Sequence, residues 1–226
     1  YSIDQNLWGT SIESGALEDP WREPPADTYR SIRMPERGAS RPAYVEIGFS
    51  RGAPTHLNGR RLPPIRLVER LNALGAAHGI GRSDMIESRV VGIKSREVYE
   101  APAATILLEA HQELERLIFD RRLLQFKQGV ALSYAELIYA GLWYAPLKTA
   151  LDAFVRHTQR RVAGTVRLKL FKGTCQVVGR KSPHALYRER LATYSSGDQF
   201  DQRAAAGFIK LFGLPYEGRG TRGLIH

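Results

Sequence analysis

Residues 164–178 read Gly-Thr-Val-Arg-Leu-Lys-Leu-Phe, then Lys172-Gly173, then Thr-Cys-Gln-Val-Val. Val166, Leu168 and Leu170 alternate with Arg167 and Lys169, the period of two that marks a half-buried strand. Lys172-Gly173 supplies a tight turn and Thr174 begins the return, so the stretch predicts a β-hairpin with one apolar face. Such a face must be covered by another layer. A second apolar face in need of cover lies earlier: from Pro64, the residues Ile65, Leu67, Val68, Leu71 and Leu74 recur at i, i+3 and i+4 up to Gly79. That spacing predicts an amphipathic helix, with Pro in its first turn and Gly past its end.

The rest of the chain fits the same plan. Residues 44–49, Tyr-Val-Glu-Ile-Gly-Phe, alternate as a half-buried strand, and Asn58-Gly59 is a tight-turn signal between short strands. Residues 84–94 read as a pair of short strands or one bent strand. Helices are predicted at 103–120, 134–144 and 146–161, where Pro146 marks a break and a fresh start, and a last one at 201–211. Trp143, with Tyr139, Leu142 and Tyr144, reads as helix packing, and Tyr134 and Glu136 as the opening of a helix. The class is α+β: antiparallel β-hairpins or sheet packed against a helical layer. The segment up to Pro42, rich in Pro, Gly and charge, has no helical or strand period and reads as an extended arm. The expected division is therefore an arm at 1–42, a compact domain at 43–214 and a Gly- and Arg-rich tail at 215–226.

Composition narrows the function. With 43% hydrophobic and 25% charged residues among 226, the chain matches a folded globular protein, and its most apolar stretch, 135–147, is too short to cross a membrane. Lys plus Arg less Asp plus Glu gives 33 − 23 = +10, which favours anionic partners. The basic residues are scattered, as at Arg60-Arg61 and Arg160-Arg161, with no long run interleaved with aromatics, so a nucleic-acid partner is not expected. The single Cys175 sits in an apolar run and reads as a buried structural thiol in a reducing compartment, which fits the cytoplasm. The chain opens at Tyr1 without Met, and the opening lacks the basic and apolar regions of a secretory signal. A processed or omitted preceding part is the expectation.

Neither a phosphate-cradling glycine loop nor a His-x-x-x-His pair is present in the sequence, so no metal ligand and no nucleotide-binding residue is assigned to this chain. The densest polar constellation runs from Gly79 to Pro102. There Glu87 on a sheet-edge strand suits an ammonium, Arg89, Lys94 and Arg96 suit carboxylates, and Tyr99 offers a directional hydroxyl. A solvated charged hairpin would look the same.

Long runs of the chain resemble the C-terminal half of the argininosuccinate synthase family. They include Tyr1-Ser-Ile-Asp-Gln-Asn-Leu-Trp-Gly9, Leu17-Glu-Asp-Pro-Trp21, His78-Gly-Ile-Gly-Arg82, the stretch from Val91 to Leu107, Tyr134-Ala-Glu-Leu137, Gly164-Thr-Val-Arg-Leu-Lys-Leu170, Val178-Gly-Arg-Lys-Ser-Pro183 and Gly207-Phe-Ile-Lys210. The resemblance implies an ATP-dependent ligase of arginine biosynthesis that joins citrulline and aspartate with release of AMP and pyrophosphate. ATP, with Mg2+, would be bound mainly by an N-terminal domain in the same or another chain. This part would supply citrulline contacts and the subunit interface of a homotetramer. The family's citrulline-binding positions fall on Ser2, Ser11, Glu87 and Tyr99, and no catalytic residue is assigned here. The family usually has Asn where this chain has Ser88, and the tail after Leu214 departs from the family's terminal helix. Two other readings are a non-catalytic citrulline-binding or assembly module of the same family and a basic nucleic-acid-binding protein.

Overall fold

The two alternating strands around Lys172-Gly173 do form a hairpin, and it lies at one side of a five-stranded antiparallel sheet. A computed structural model describes residues 1–193 and 199–217. The chain divides into two units, Tyr1–Leu186 and Tyr187–His226. In chain order the first unit holds β1 (Ser2–Gln5), β2 (Thr10–Glu13), β3 (Ala43–Ser50), β4 (Ala53–Leu57), β5 (Arg60–Arg61), α1 (Pro64–Ala77), β6 (Arg82–Ser88), β7 (Lys94–Glu100), α2 (Pro102–Ile118), α3 (Arg121–Tyr139), α4 (Pro146–Thr158), β8 (Gly164–Phe171) and β9 (Thr174–Lys181). The second holds α5 (Glu189–Ala192) and α6 (Gln202–Gly213), then a short 3-10 turn at Leu214–Tyr216. Residues 218–226, most of the expected tail, lie outside the described residues.

The larger sheet has the order β5-β4-β3-β8-β9. Its inner face carries Val45 and Ile47 from β3 and Val166, Leu168 and Leu170 from β8, packed with Leu67 and Leu71 of α1 and Ile106, Ala110 and Leu114 of α2. Each of these leucines is fully buried and contributes on the order of 2 kcal/mol. The turns match the sequence reading: Asn58 and Gly59, like Lys172 and Gly173, all have positive φ, the left-handed pair that a two-residue hairpin needs. The α+β class expected from the sequence is the observed one. Among the described residues no helix is long and apolar enough to cross a membrane.

The smaller sheet, β1-β2-β7-β6, is formed by the β6–β7 hairpin between α1 and α2 together with the N-terminal strands. Here the structure departs from the sequence reading. The segment up to Pro42 contributes two strands rather than running wholly as an arm. Each has four residues, and β1 is exposed throughout, so there is too little alternation for a period to register. Their backbone pairing, β1 on β2 and β2 on β7, fixes them instead. The buried carboxylate of Glu100 at the end of β7 pins the next stretch, accepting from the backbone N–H of Arg30, Ser31 and Ile32 at 2.8 to 3.1 Å. Gly81, at φ +93°, lets the start of β6 pass beside the start of α2, where a Cβ would sit 2.6 Å from Pro102 N.

The helix expected at 134–144 starts instead at Arg121. Asp120 caps it, accepting from the N–H groups of Arg122 and Leu123, and Gly141 with φ +71° follows its end. Tyr134 and Glu136 therefore lie in its second half rather than opening it. Trp143 and Tyr144 follow the helix instead of lying on it and are 53% and 98% exposed. Between Gln125 and Gly129 the one apolar side chain, Phe126, is 63% exposed among polar residues and Gly, which hides the early turns from a periodicity reading.

Candidate functional site

The smaller sheet has two unlike faces because side chains alternate along each strand and partners directly opposite share a face. One face carries Ile12 and Val98, which form a small buried cluster with Leu17 and Tyr29. The other is polar. Its rows follow from the register: Ser2 faces Glu13, Glu13 faces Glu97, and Glu97 faces Met85. The next row is Asp4, Ser11, Tyr99 and Ser83, and on the other side of the first lie Ser95 and Glu87. All four residues singled out from the sequence, Ser2, Ser11, Glu87 and Tyr99, thus occupy one face of one sheet.

Two of the four are in direct contact. Tyr99 Oη lies 2.6 Å from Glu87 Oε2 and 2.8 Å from Glu97 Oε2. Burial, followed by those two carboxylates, raises the Tyr99 pKa above its ordinary value of 10.0, so the phenol keeps its hydrogen at neutral pH. Ser11 sits beside Tyr99 by register, whereas Ser2 lies on the edge strand, two strands from β7, at roughly 10 Å given the strand spacing. The structure thus makes a tight pair of Glu87 and Tyr99, with Ser11 adjacent and Ser2 at the margin.

The cations of the constellation are engaged within the protein. Arg89 pairs with Glu13 and lies 3.3 Å from Glu97 Oε1. Arg96 is on the opposite face, where it donates to Asp84 at 2.6 and 2.8 Å and to the carbonyls of Asp19 and Arg22. The Asp84 hydrogen bond raises the Arg96 pKa. Lys94 Nζ donates to Ser88 Oγ at 2.5 Å. Among the described residues the polar face therefore carries the carboxylates of Asp4, Glu13, Glu87 and Glu97, with Arg89 paired to Glu13 and Glu97, an acidic patch on a basic chain. Glu13 and Glu97 escaped the sequence reading, although the period-two strings Ser11-x-Glu13 and Ser95-x-Glu97-x-Tyr99 would have put them on this face. Ser95 Oγ is buried without a hydrogen-bond partner among the described residues.

This arrangement suits a small zwitterion: carboxylates for an ammonium, and hydroxyls for neutral polar groups. Residues 1–218 match the family model described as Arginosuccinate synthase C-terminal domain. The chain belongs to the argininosuccinate synthase family. It is 58% identical to the argininosuccinate synthase of Rubrobacter xylanophilus over 215 residues, covering 95% of this chain and 53% of that protein. The corresponding protein of Chlorobium luteolum is 55% identical over 95% of this chain and 54% of its own length. That of Chlorobium chlorochromatii is 54% identical over all 226 residues, 56% of its own length. The chain spans about half the length of the curated relatives it matches.

Proposed function

We propose that this chain is the citrulline-holding and subunit-joining part of an argininosuccinate synthase, an ATP-dependent ligase that joins citrulline and aspartate with release of AMP and pyrophosphate. The observation that carries the reading is the gathering of Ser2, Ser11, Glu87 and Tyr99 on one polar sheet face, with Glu87 and Tyr99 in contact at 2.6 Å. Glu87 takes the ammonium end of citrulline, while Tyr99 and the serines meet its polar groups. In the reaction, the ureido oxygen attacks the α-phosphate of ATP and the aspartate amine then displaces AMP. ATP and Mg2+ enter through the half of the relatives' length that this chain does not span. A homotetrameric enzyme of the cytoplasm completes the reading, and the exposed Phe208, Ile209, Leu211 and Phe212 of α6 support contact with a second copy.

The test is steady-state kinetics of Glu87→Gln in the enzyme completed by the other half. The apparent KM for citrulline should rise at least about tenfold while that for ATP stays within about twofold, the loss of one charge-assisted contact. Equal effects on both substrates, or none on citrulline, would refute the assignment.

A further inference from the structure

Tyr99 has one hydroxyl hydrogen and two carboxylate oxygens within reach of it, Glu87 Oε2 at 2.6 Å and Glu97 Oε2 at 2.8 Å. Ionised carboxylates only accept, so that hydrogen serves one of them at a time. The two are not equivalent. Glu97 is buried, and its second oxygen faces Arg89, which is itself held by Glu13. Among the described residues Glu87 has no ion-pair partner, and its one side-chain hydrogen bond is the one it accepts from Tyr99. A partly buried carboxylate without a counter-charge is where a cationic group gains most by entering.

When an ammonium group reaches Glu87, it supplies that carboxylate with hydrogens of its own. The Tyr99 hydrogen is then free for Glu97, and a lone pair of Tyr99 Oη turns toward the ligand. Building on the reading of Glu87 and Tyr99 as ligand contacts, we propose that Glu97 is a positioning residue: it takes the Tyr99 hydrogen, so that Tyr99 joins Glu87 as a second acceptor in an ammonium seat. Arg89 has a part in this. It holds the far oxygen of Glu97 at 3.3 Å, and its pairing with Glu13 keeps its own charge out of the seat. Ser11 and Ser83, which flank Tyr99 across the sheet, add neutral groups and no competing cation.

Glu97→Gln tests the arrangement by inverting it. Arg89 holds the amide oxygen of the variant, which leaves the –NH2 facing Tyr99, and the phenol must then accept from it and donate toward the ligand. Calorimetric titration of this chain with L-citrulline compares the wild type, Glu97→Gln, Tyr99→Phe and the double variant, with thermal melting to establish that each is folded. Glu97→Gln should weaken citrulline about tenfold, and the double variant should bind no more weakly than Tyr99→Phe alone. Nα-acetyl-citrulline, which has no ammonium, should bind the wild type and Glu97→Gln alike. Losses that multiply in the double variant, or equal losses for the acetylated probe, would overturn the proposal.

Methylammonium carries only the group the seat is built for, and its binding is read from the ζ-13C resonance of Tyr99. It should move that resonance in the wild type and not in Glu87→Gln or Glu97→Gln. If methylammonium responds this way and citrulline does not bind, the citrulline reading fails and the seat stands. If the wild-type resonance does not move, or moves equally in Glu97→Gln, the seat fails whatever citrulline does.

Discussion

Ser11 lies directly across from Tyr99 in the pairing of β2 with β7. That single register draws the N-terminal segment into the same sheet as the β6–β7 hairpin, and it puts hydroxyls from two distant parts of the sequence side by side. A shift of one residue would turn Ser11 to the apolar side and Ile12 to the polar one.

The first consequence concerns what secures this register. Glu100 is 1% exposed and receives three backbone N–H groups from residues 30–32 on the face away from the site. Glu100→Gln replaces one accepting oxygen with a donor that meets other donors. It should cost about 2 kcal/mol in urea unfolding and speed hydrogen exchange at Arg30, Ser31 and Ile32. A loss below about 0.5 kcal/mol would show that these bonds do not secure the segment.

His78 gives a pH dependence. Its Nδ1 is buried without a hydrogen-bond partner among the described residues, and burial lowers its pKa below 6.5. The folded chain therefore keeps His78 neutral while the unfolded chain takes up a proton, so this residue's contribution is lost as pH falls through the ordinary histidine value. The wild type should lose stability relative to His78→Gln between about pH 7 and pH 5. Parallel stability curves for the two proteins over that range would contradict this.

Cys175, on β9 of the larger sheet, is half-buried against the core, and burial, with Glu109 nearby, pushes its thiol pKa up to about 12. At pH 8 it is almost wholly protonated in the native chain. Ellman's reagent should label it on the order of a hundredfold more slowly than it labels the guanidinium-unfolded chain. Comparable rates would mean that the thiol is open and activated.

The β8–β9 hairpin was readable because Val166, Leu168 and Leu170 alternate with charge over a long strand. α1 was readable from its apolar stripe and its flanking Pro and Gly. The strands β1 and β2 were not, since four residues each are too few to hold a pattern, β1 is exposed throughout, and their placement comes from partners elsewhere in the sheet. The early turns of α3 were obscured because Phe126 stands exposed among polar residues and Gly, and Asp120, read as the end of the preceding helix, in fact caps this one. Within the site, Glu87 and Tyr99 stood out from a dense polar string, but nothing local distinguishes Ser2 and Ser11 from ordinary serines. Resemblance alone singled them out. Glu13 and Glu97 went unread because their meaning lies in a cross-strand row with Arg89, which only the register reveals.

The most direct test of the central claim is side-chain NMR of this chain titrated with L-citrulline. The Tyr99 ring and the Glu87 and Glu97 methylenes should shift together along one binding curve, with Ser11 following and the Ile12 and Val98 methyls of the opposite face nearly still. Shifts confined to Ile12 and Val98 or to the helices, or no shift at millimolar citrulline, would contradict it.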